Sequence, residues 1–467
     1  MRRKLQVFIL LVSAIWMYSS CLGNDTYDYE YPDDTAITAF SLGTVNRYWH
    51  TTNSEGEDSV YMTTLTGSDY NFYIDQYEKL IYNLDSLPVG SDAGHILATI
   101  SSKNSGTVAL KNVDSDTLTV YDSSDSIDFS VPREIRAYNL SGTAYAAYTV
   151  TVNVHQEEAD SFRWFSLAQS NASLAGLSRA KAVDINETIY VFGIDAANTL
   201  RIYSSPADDG ISWTEITPST TLSSDAYQSI VVFDDYIYTL SSSVSGTDVL
   251  RSSDATTWET IASSTTLSCL VGASSRYLYA LTPSGLSVSK DDGTTWIAES
   301  TDVDATYLPS SEISFAYKPS LVNTETEHLM LMGKRADSYG DSTAVVWNKV
   351  LEYADDSEDQ AWAFVEYDAF DDNKAPNCQQ FLATAYRDGY EAVHCDSDSL
   401  YISIDGGITW KKDSVRMPDD FDGSHHFAFF KDNKNYLWII SVDGAGNIWK
   451  GRHNSEGWRK EETSFTE

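Results

Sequence analysis

Ser289-Lys290-Asp291-Asp292-Gly293-Thr294-Thr295-Trp296 and Ser403-Ile404-Asp405-Gly406-Gly407-Ile408-Thr409-Trp410 spell one pattern twice, S-x-D-x-G-x-T-W. Agreement at five fixed positions makes an internal repeat the natural explanation. Each fixed residue has a structural task. The Asp carboxylate can accept backbone N–H bonds inside a turn. The glycine supplies a positive φ that a Cβ resists. The tryptophan enters the outermost strand and turns its ring back towards the core. The pattern therefore predicts a turn between strands and assigns no reaction to Ser289, Asp291, Gly293, Thr295, Trp296 or to Ser403, Asp405, Gly407, Thr409, Trp410.

Tryptophans carry the repeat outward. Trp213, Trp258, Trp296, Trp362, Trp410 and Trp458 are separated by 45, 38, 66, 48 and 48 residues. Four of these intervals sit near the length of a four-stranded propeller blade. The unit reads most clearly as Gln380-Phe381-Leu382-Ala383-Thr384, Glu391-Ala392-Val393-His394-Cys395, Leu400-Tyr401-Ile402-Ser403 and Thr409-Trp410-Lys411-Lys412. The turn decays through Ser252-Ser253-Asp254-Ala255-Thr256-Thr257-Trp258 and Asp208-Asp209-Gly210-Ile211-Ser212-Trp213, and is lost before Trp362 and Trp458. The long interval contains Asp355-Asp356-Ser357-Glu358-Asp359, which reads as a loop insertion. Residues 164–467 are thus expected to form a β-propeller of six blades, or of seven. Trp164-Phe165 would be the strand that closes the ring or the remnant of a seventh blade.

Upstream, residues 35–155 alternate apolar and polar side chains in short runs, as in Thr117-Leu118-Thr119-Val120-Tyr121 and Ala147-Tyr148-Thr149-Val150-Thr151-Val152. Period-two alternation between turn residues predicts an antiparallel, Ig-like β-sandwich. Residues 156–163 are a polar joint. The whole chain is expected to be all-β.

At the N-terminus Arg2, Arg3 and Lys4 precede an apolar run over residues 5–18, too short to span a bilayer. Tyr18-Ser19-Ser20-Cys21 resembles a bacterial lipobox. Residues 1–20 read as a lipoprotein signal peptide, Cys21 as the lipid attachment site and residues 21–34 as an acidic tether. Ordinary cleavage near Gly23 is the other reading.

The 467 residues carry 31 Lys and Arg against 68 Asp and Glu, a net charge of −37. Such a surface repels phosphate backbones, so nucleic acid is excluded as a partner. Cys378 and Cys395 fall at the two ends of an expected hairpin, where a disulfide and two unpaired thiols are both open. Cys269 reads as a small core residue.

No serine-hydrolase elbow, phosphate loop or paired-histidine metal motif occurs in the sequence. Asp302/Asp304, Asp396/Asp398 and Asp419-Asp420-Phe421-Asp422 lack the spacing of a calcium loop and read as solvated. His425-His426 opens the last blade's inner strand and reads as structural or solvent-facing. Tyr48-Trp49-His50 reads as strand aromatics, with sugar stacking as the functional alternative. No catalytic residue, cofactor or metal is expected.

The repeated pattern resembles the Asp-box of bacterial sialidases, sortilin-type receptors and plain propellers. A sialidase resemblance would imply three arginines on a carboxylate, a Tyr–Glu pair and an acidic proton donor. Arg179, Arg201, Arg251, Arg276, Arg335, Arg387, Arg416, Arg452 and Arg459 show no such triad in their spacing. Taken whole, the chain resembles uncharacterised Gram-negative, gut-commensal surface lipoproteins that join a lipobox, an Ig-like module and an Asp-box propeller. The residues that carry this are Ser20-Cys21, Asp34-Thr35-Ala36-Ile37-Thr38-Ala39-Phe40, Tyr82-Asn83-Leu84-Asp85-Ser86-Leu87-Pro88 and the two Asp-boxes. The resemblance implies an outer-membrane, surface-exposed lipoprotein. The expected function is non-enzymatic binding of a glycan or protein. A sialidase-like glycoside hydrolase and a subunit of an outer-membrane complex are the rival readings.

Overall fold

The computed structural model describes residues 32–52, 57–244, 246–354, 360–368 and 371–458. The expected signal peptide and Cys21 lie outside the described residues, as do most of the tether, Arg459 and the acidic run 355–359. About half of the described residues are strand, the few helices are short, and no helix among them is long and apolar enough to cross a membrane. The chain divides between Glu158 and Ala159 into two compact units.

In the first unit a six-stranded sheet accompanies two two-stranded ones. Ile37–Leu42 pairs with Ala98–Ser102, and Thr44–Thr52 with Asp58–Thr66. Alternation decides the faces. Ile135 and Ala137 of Arg133–Tyr138, and Tyr148 and Val150 of Tyr145–Thr151, meet Ile37, Phe40 and Leu42 in one core. One neighbouring pair departs from the antiparallel expectation: Leu80–Asn83 runs parallel to Tyr145–Thr151.

The second unit holds six four-stranded sheets. Their first strands are Leu177–Ile185, Val231–Phe233, Cys269–Ala273, Ser311–Pro319, Phe381–Tyr386 and Phe427–Lys431. Each first strand touches the next, and the last touches the first, which closes a ring and makes this unit a β-propeller. Hydrogen bonds fix the strand direction. Residues near the starts meet one another (Arg179 with Glu312, Ala383 with Ser314), and residues at the ends meet one another (Lys318 with Arg387). With Gln380, just before Phe381–Tyr386, bonded to Phe427 at the start of the sixth first strand, Leu177–Ile185, Ser311–Pro319, Phe381–Tyr386 and Phe427–Lys431 all run the same way along the axis.

The outer strand of the sixth sheet comes from the other end of the unit. Phe162–Ala168 pairs antiparallel with Ile448–His453, Trp164 opposite Gly451. Trp458, expected to punctuate a sixth unit, follows the short turn Asn454–Gly457 and is the last described residue, after all three strands that the C-terminal end gives to this sheet. The chain reaches its last sheet with three strands and borrows the fourth from residues it laid down first.

Six hydrophobic clusters alternate with the six sheets. The tryptophans occupy them in rotation. Trp213, Trp258, Trp296, Trp362 and Trp410 each lead into the outer strand of one sheet and pack into the cluster shared with the preceding sheet. Trp164 takes the same position for the sixth. The ring therefore wedges two sheets together, where the sequence suggested packing within one. Burying such a ring contributes about 3–5 kcal/mol against alanine.

Candidate functional site

The six first strands enclose a central cavity of about 1320 Å³. Alternation puts polar side chains on its wall: in Leu177–Ile185, Ala182 joins the neighbouring core while Arg179 and Lys181 face the cavity. At the strand-start mouth Arg179 Nη1 pairs with Glu312 Oε1 at 3.1 Å. Gln380 Nε2 donates to Glu312 Oε2 at 3.2 Å and to Phe427 O at 3.2 Å, while its Oε1 accepts from Phe427 N at 2.9 Å. These bonds tie the starts of four first strands together and fix the carboxylate. His426 lines the same mouth, 3.4 Å from Gln379 Nε2, and burial followed by the Arg179 charge lowers its pKa.

Halfway along, Lys181 Nζ and Cys269 Sγ both point at Gln228 O, at 3.5 and 3.7 Å. Enclosure by the wall lowers the Lys181 pKa and raises that of Cys269. The thiol is held protonated, the opposite of what a nucleophile needs. At the strand-end mouth Lys318 Nζ donates to Arg387 O at 2.8 Å and Lys431 Nζ to Asn435 Oδ1 at 3.0 Å. Arg387 itself is taken by Asp160 at 2.8 Å. Tyr317, 37% exposed, adds an aromatic face.

The repeated turns lie away from this cavity; none of their ten fixed residues lines it. Asp291 Oδ1 accepts from Thr295 N at 2.8 Å and from Ser289 Oγ at 2.9 Å, and Oδ2 accepts from Thr295 Oγ1 at 2.6 Å. Gly293 N donates to Ser289 Oγ at 2.9 Å. Asp405 repeats the arrangement with Ser403 and Thr409, and Gly407 N donates to Ser403 Oγ at 2.9 Å. Trp296 Nε1 donates to Gly293 O at 3.1 Å, but Gly407 O is claimed by Tyr367 Oη at 3.2 Å and Trp410 Nε1 is buried unpaired. In the decayed turn Asp254 still accepts from Thr256 N and Thr257 N, both at 2.8 Å.

The arginines are dispersed. Arg201 pairs with Asp195 and Glu215, Arg251 with Glu259, Arg276 with Glu325 and Arg335 with Asp341. Only Arg179 and Arg387 among the described arginines line the cavity, at opposite mouths. The acidic points serve the fold. Asp304 caps a turn through Thr306 N at 2.9 Å, Asp398 pairs with Lys412 at 3.0 Å, and Asp420 accepts from Trp449 Nε1 at 2.9 Å. His425 sits against Asp443 O at 2.8 Å. In the first unit Trp49 stacks on Tyr61 and lies under Arg47, with Tyr48 exposed beside them.

Cys378 and Cys395 stand together as thiols, and with His394 their ligand atoms lie within 4.8 Å of one another. Cys378 Sγ donates to Gln380 O at 2.7 Å. His394 Nδ1 accepts from Asp396 N at 2.9 Å. A tetrahedral soft-metal site would need a fourth donor.

The sequence reading missed Lys181, Lys318 and Lys431. Its available signal was a lysine at an inward position of a strand whose alternate residues are apolar, legible only once the first strand of each unit is known to face an axis.

The chain belongs to the family described as DUF6242. Residues 158–461 match its beta propeller domain, and residues 40–152 match the domain of unknown function that forms its N-terminal part. No curated protein matches the chain. Among solved structures it is similar to a protein of unknown function from Bacteroides thetaiotaomicron VPI-5482, at 10% identity and a TM-score of 0.43 over 76% of this chain and 94% of that one. It is similar to the Hadza microbial sialidase Hz136, at 12% identity and a TM-score of 0.40 over 91% and 92%. It is also similar to the SapL1 lectin in complex with alpha methyl fucoside, at 12% identity and 0.39 over 59% and 94%. Likeness at this level says nothing about activity.

Proposed function

We propose that this DUF6242-family chain is an envelope-anchored lipoprotein that binds a glycan in the central cavity of its propeller and carries out no chemistry on it. The six sheets are read as six blades, with Phe162–Ala168 as the closing strand and the repeated turns as Asp-boxes. The first unit is read as an Ig-like module following a tether lipidated at Cys21, on the outer face of the outer membrane.

The observation that supports this reading is the cavity. At about 1320 Å³ it is larger than a typical small-molecule pocket of roughly 300–1,000 Å³ and suits an oligosaccharide. Its wall offers fixed donors and acceptors, among them Gln380 and Glu312, beside the exposed ring of Tyr317. Such a mixture of oriented polar groups and aromatic surface selects a ligand by its hydroxyl and ring pattern.

A glycan array probed with the purified protein tests the reading, and specific retention of one saccharide class is the expected result. Turnover of a polysaccharide by the same preparation would favour a hydrolase instead, and stable co-purification of another protein a complex subunit. Separately, Cys21→Ser is expected to remove acyl labelling and membrane association; unchanged behaviour of that variant refutes the anchor.

A further inference from the structure

Five lysines outside the central cavity are held in ion pairs. Lys103 meets Asp34 at 3.0 Å, Lys111 meets Asp116 at 3.0 Å, Lys412 meets Asp398 at 3.0 Å and Lys434 meets Glu187 at 3.4 Å. Lys349 is buried against Glu299. With 68 carboxylates for 31 Lys and Arg, pairing is the easy outcome.

The three lysines of the central cavity are not; they share this with Lys79 and Lys450, but they alone among the described lysines line the cavity wall. Lys181 is bonded to Gln228 O, Lys318 to Arg387 O and Lys431 to Asn435 Oδ1, each a neutral oxygen. None forms an ion pair among the described residues. Both arginines on the wall already have carboxylates, Glu312 and Asp160. Five cationic side chains line the cavity (Arg179, Lys181, Lys318, Arg387, Lys431) against four carboxylates (Asp304, Glu312, Asp388, Glu456). Over the chain as a whole carboxylates outnumber cations by more than two to one, so the wall reverses the balance of the surface.

Position sharpens the point. Lys181 is the middle residue of Leu177–Ile185, whereas Lys318 and Lys431 stand at the ends of Ser311–Pro319 and Phe427–Lys431. Because these three strands run the same way, the three amines follow the axis from its middle to one mouth. Lys318 feels Asp388 and Glu456, and Lys431 feels Asp432, Glu456 and Asp184. Lys181 feels the Cys269 thiol and no carboxylate among the described residues. An ammonium group enclosed by protein without a counter-ion is costly, and an arriving anion relieves that cost. Low-dielectric walls also focus the field of such groups along a cleft.

We infer that the cavity takes an anionic saccharide chain whose carboxylate or sulfate groups pair with Lys181, Lys318 and Lys431. This rests on the glycan-binding reading above and adds the charge of the ligand. An extended chain is specified because the amines lie along the axis, so successive charged residues of one polymer can reach more than one of them. The acidic exterior works against non-specific adsorption of polyanions, which leaves the channel as the selective place for them.

The test uses the whole protein in detergent, with binding of polygalacturonate, chondroitin sulfate and uncharged dextran measured by biolayer interferometry. The inference expects one or both anionic polymers to bind and dextran to fail; the carboxylate-only and sulfated arms identify which anion is read. Lys181→Gln is expected to weaken binding about tenfold, and Lys181→Arg to restore most of it. Lys412→Gln, on a surface pair, is expected to change nothing. In the unmodified protein, bound polymer is expected to shield Lys181 from acetylation in peptide mapping, while Lys412 stays reactive. This readout does not depend on any variant folding. Dextran binding as tightly as the anionic polymers, without loss in Lys181→Gln, would overturn the charge inference and leave the glycan reading standing. Absence of binding to every polymer here and on the array would remove both. Unshielded Lys181 in the presence of a bound anionic polymer would also overturn the inference.

Discussion

Asp405 accepts two hydrogen bonds from Thr409, one from the backbone N–H at 2.9 Å and one from the hydroxyl at 2.7 Å. Asp291 and Thr295 repeat the pair in another sheet, at 2.8 and 2.6 Å. The side-chain and backbone bonds of Thr295 hold the Asp291 carboxyl below its ordinary pKa. A depressed carboxylate contributes stability above its unfolded pKa of 3.8 and loses it as pH falls through the folded value. Asp405→Ala is expected to cost about 1–3 kcal/mol by stranding its donors. Thermal melting at pH 7 should register the loss, with the proposed glycan binding unchanged because the turn does not line the cavity.

The two turn glycines should respond differently to alanine. Gly293 and Gly407 share φ of 88° and 87°, so each substitution strains the backbone by about 1 kcal/mol. A Cβ at Gly293 would find Val249 Cγ1 at 3.3 Å, whereas at Gly407 it would meet Met330 Sδ at 2.8 Å and Val346 Cγ1 at 2.9 Å. Ala255 already occupies the equivalent position of the decayed turn at φ 56°. Gly407→Ala is expected to lower the melting temperature more than Gly293→Ala. Equal losses would show that strain alone matters.

Glu391 gives the protein a pH dependence of the unusual sign. It is 2% exposed on Gly389–His394, and its Oε2 is unpaired. Burial first and then Asp413 push its pKa up to about 9 from 4.5. Below pH 4.5 both folded and unfolded chains carry the proton. As pH rises from 4.5 towards 9 only the unfolded chain releases it, so stability falls, by about 3 kcal/mol at pH 7. Glu391→Gln is expected to raise the midpoint of urea unfolding at pH 8 and leave it nearly unchanged at pH 4.5. His453, pushed down to about 4 by burial, works in the other direction, losing stability as pH falls from 6.5 through 4.

Cys378 and Cys395 are expected to be joined when the protein is prepared without reductant. Peptide mapping should recover one linked pair and leave Cys269 alkylable only after unfolding. Replacing both with serine should then cost about 3 kcal/mol for a loop of this length. Two native thiols together with one equivalent of bound zinc would instead assign the pair, with His394, to a metal.

How much of this was legible follows from range along the chain. The turn S-x-D-x-G-x-T-W is local: its donors and acceptors lie within five residues of one another, so spelling it specifies it. The tryptophan period is local to one unit and yielded the six repeats. The closing of the ring is different. Trp164 and Trp458 read alike as aromatic punctuation, and only the pairing of Phe162–Ala168 with Ile448–His453 shows which of them completes a sheet. The exposed Tyr48 and the buried Trp410 likewise look equivalent in a string of letters.

The amino-acid sequence by itself determined the all-β class, the repeat, the acidic exterior and the structural role of the Asp, Gly and Trp positions, because each depends on periodicity, composition or a single turn. The tertiary structure alone decided the make-up of the cavity wall. Lys181, Lys318 and Lys431 come from three different sheets, more than 110 residues apart at each step, and share one cavity only because the first strands that carry them stand side by side around it in the same direction. Which lysines lack a counter-charge is likewise a property of distance in space. In a chain with so many carboxylates, no local pattern distinguishes an unpaired lysine from a paired one.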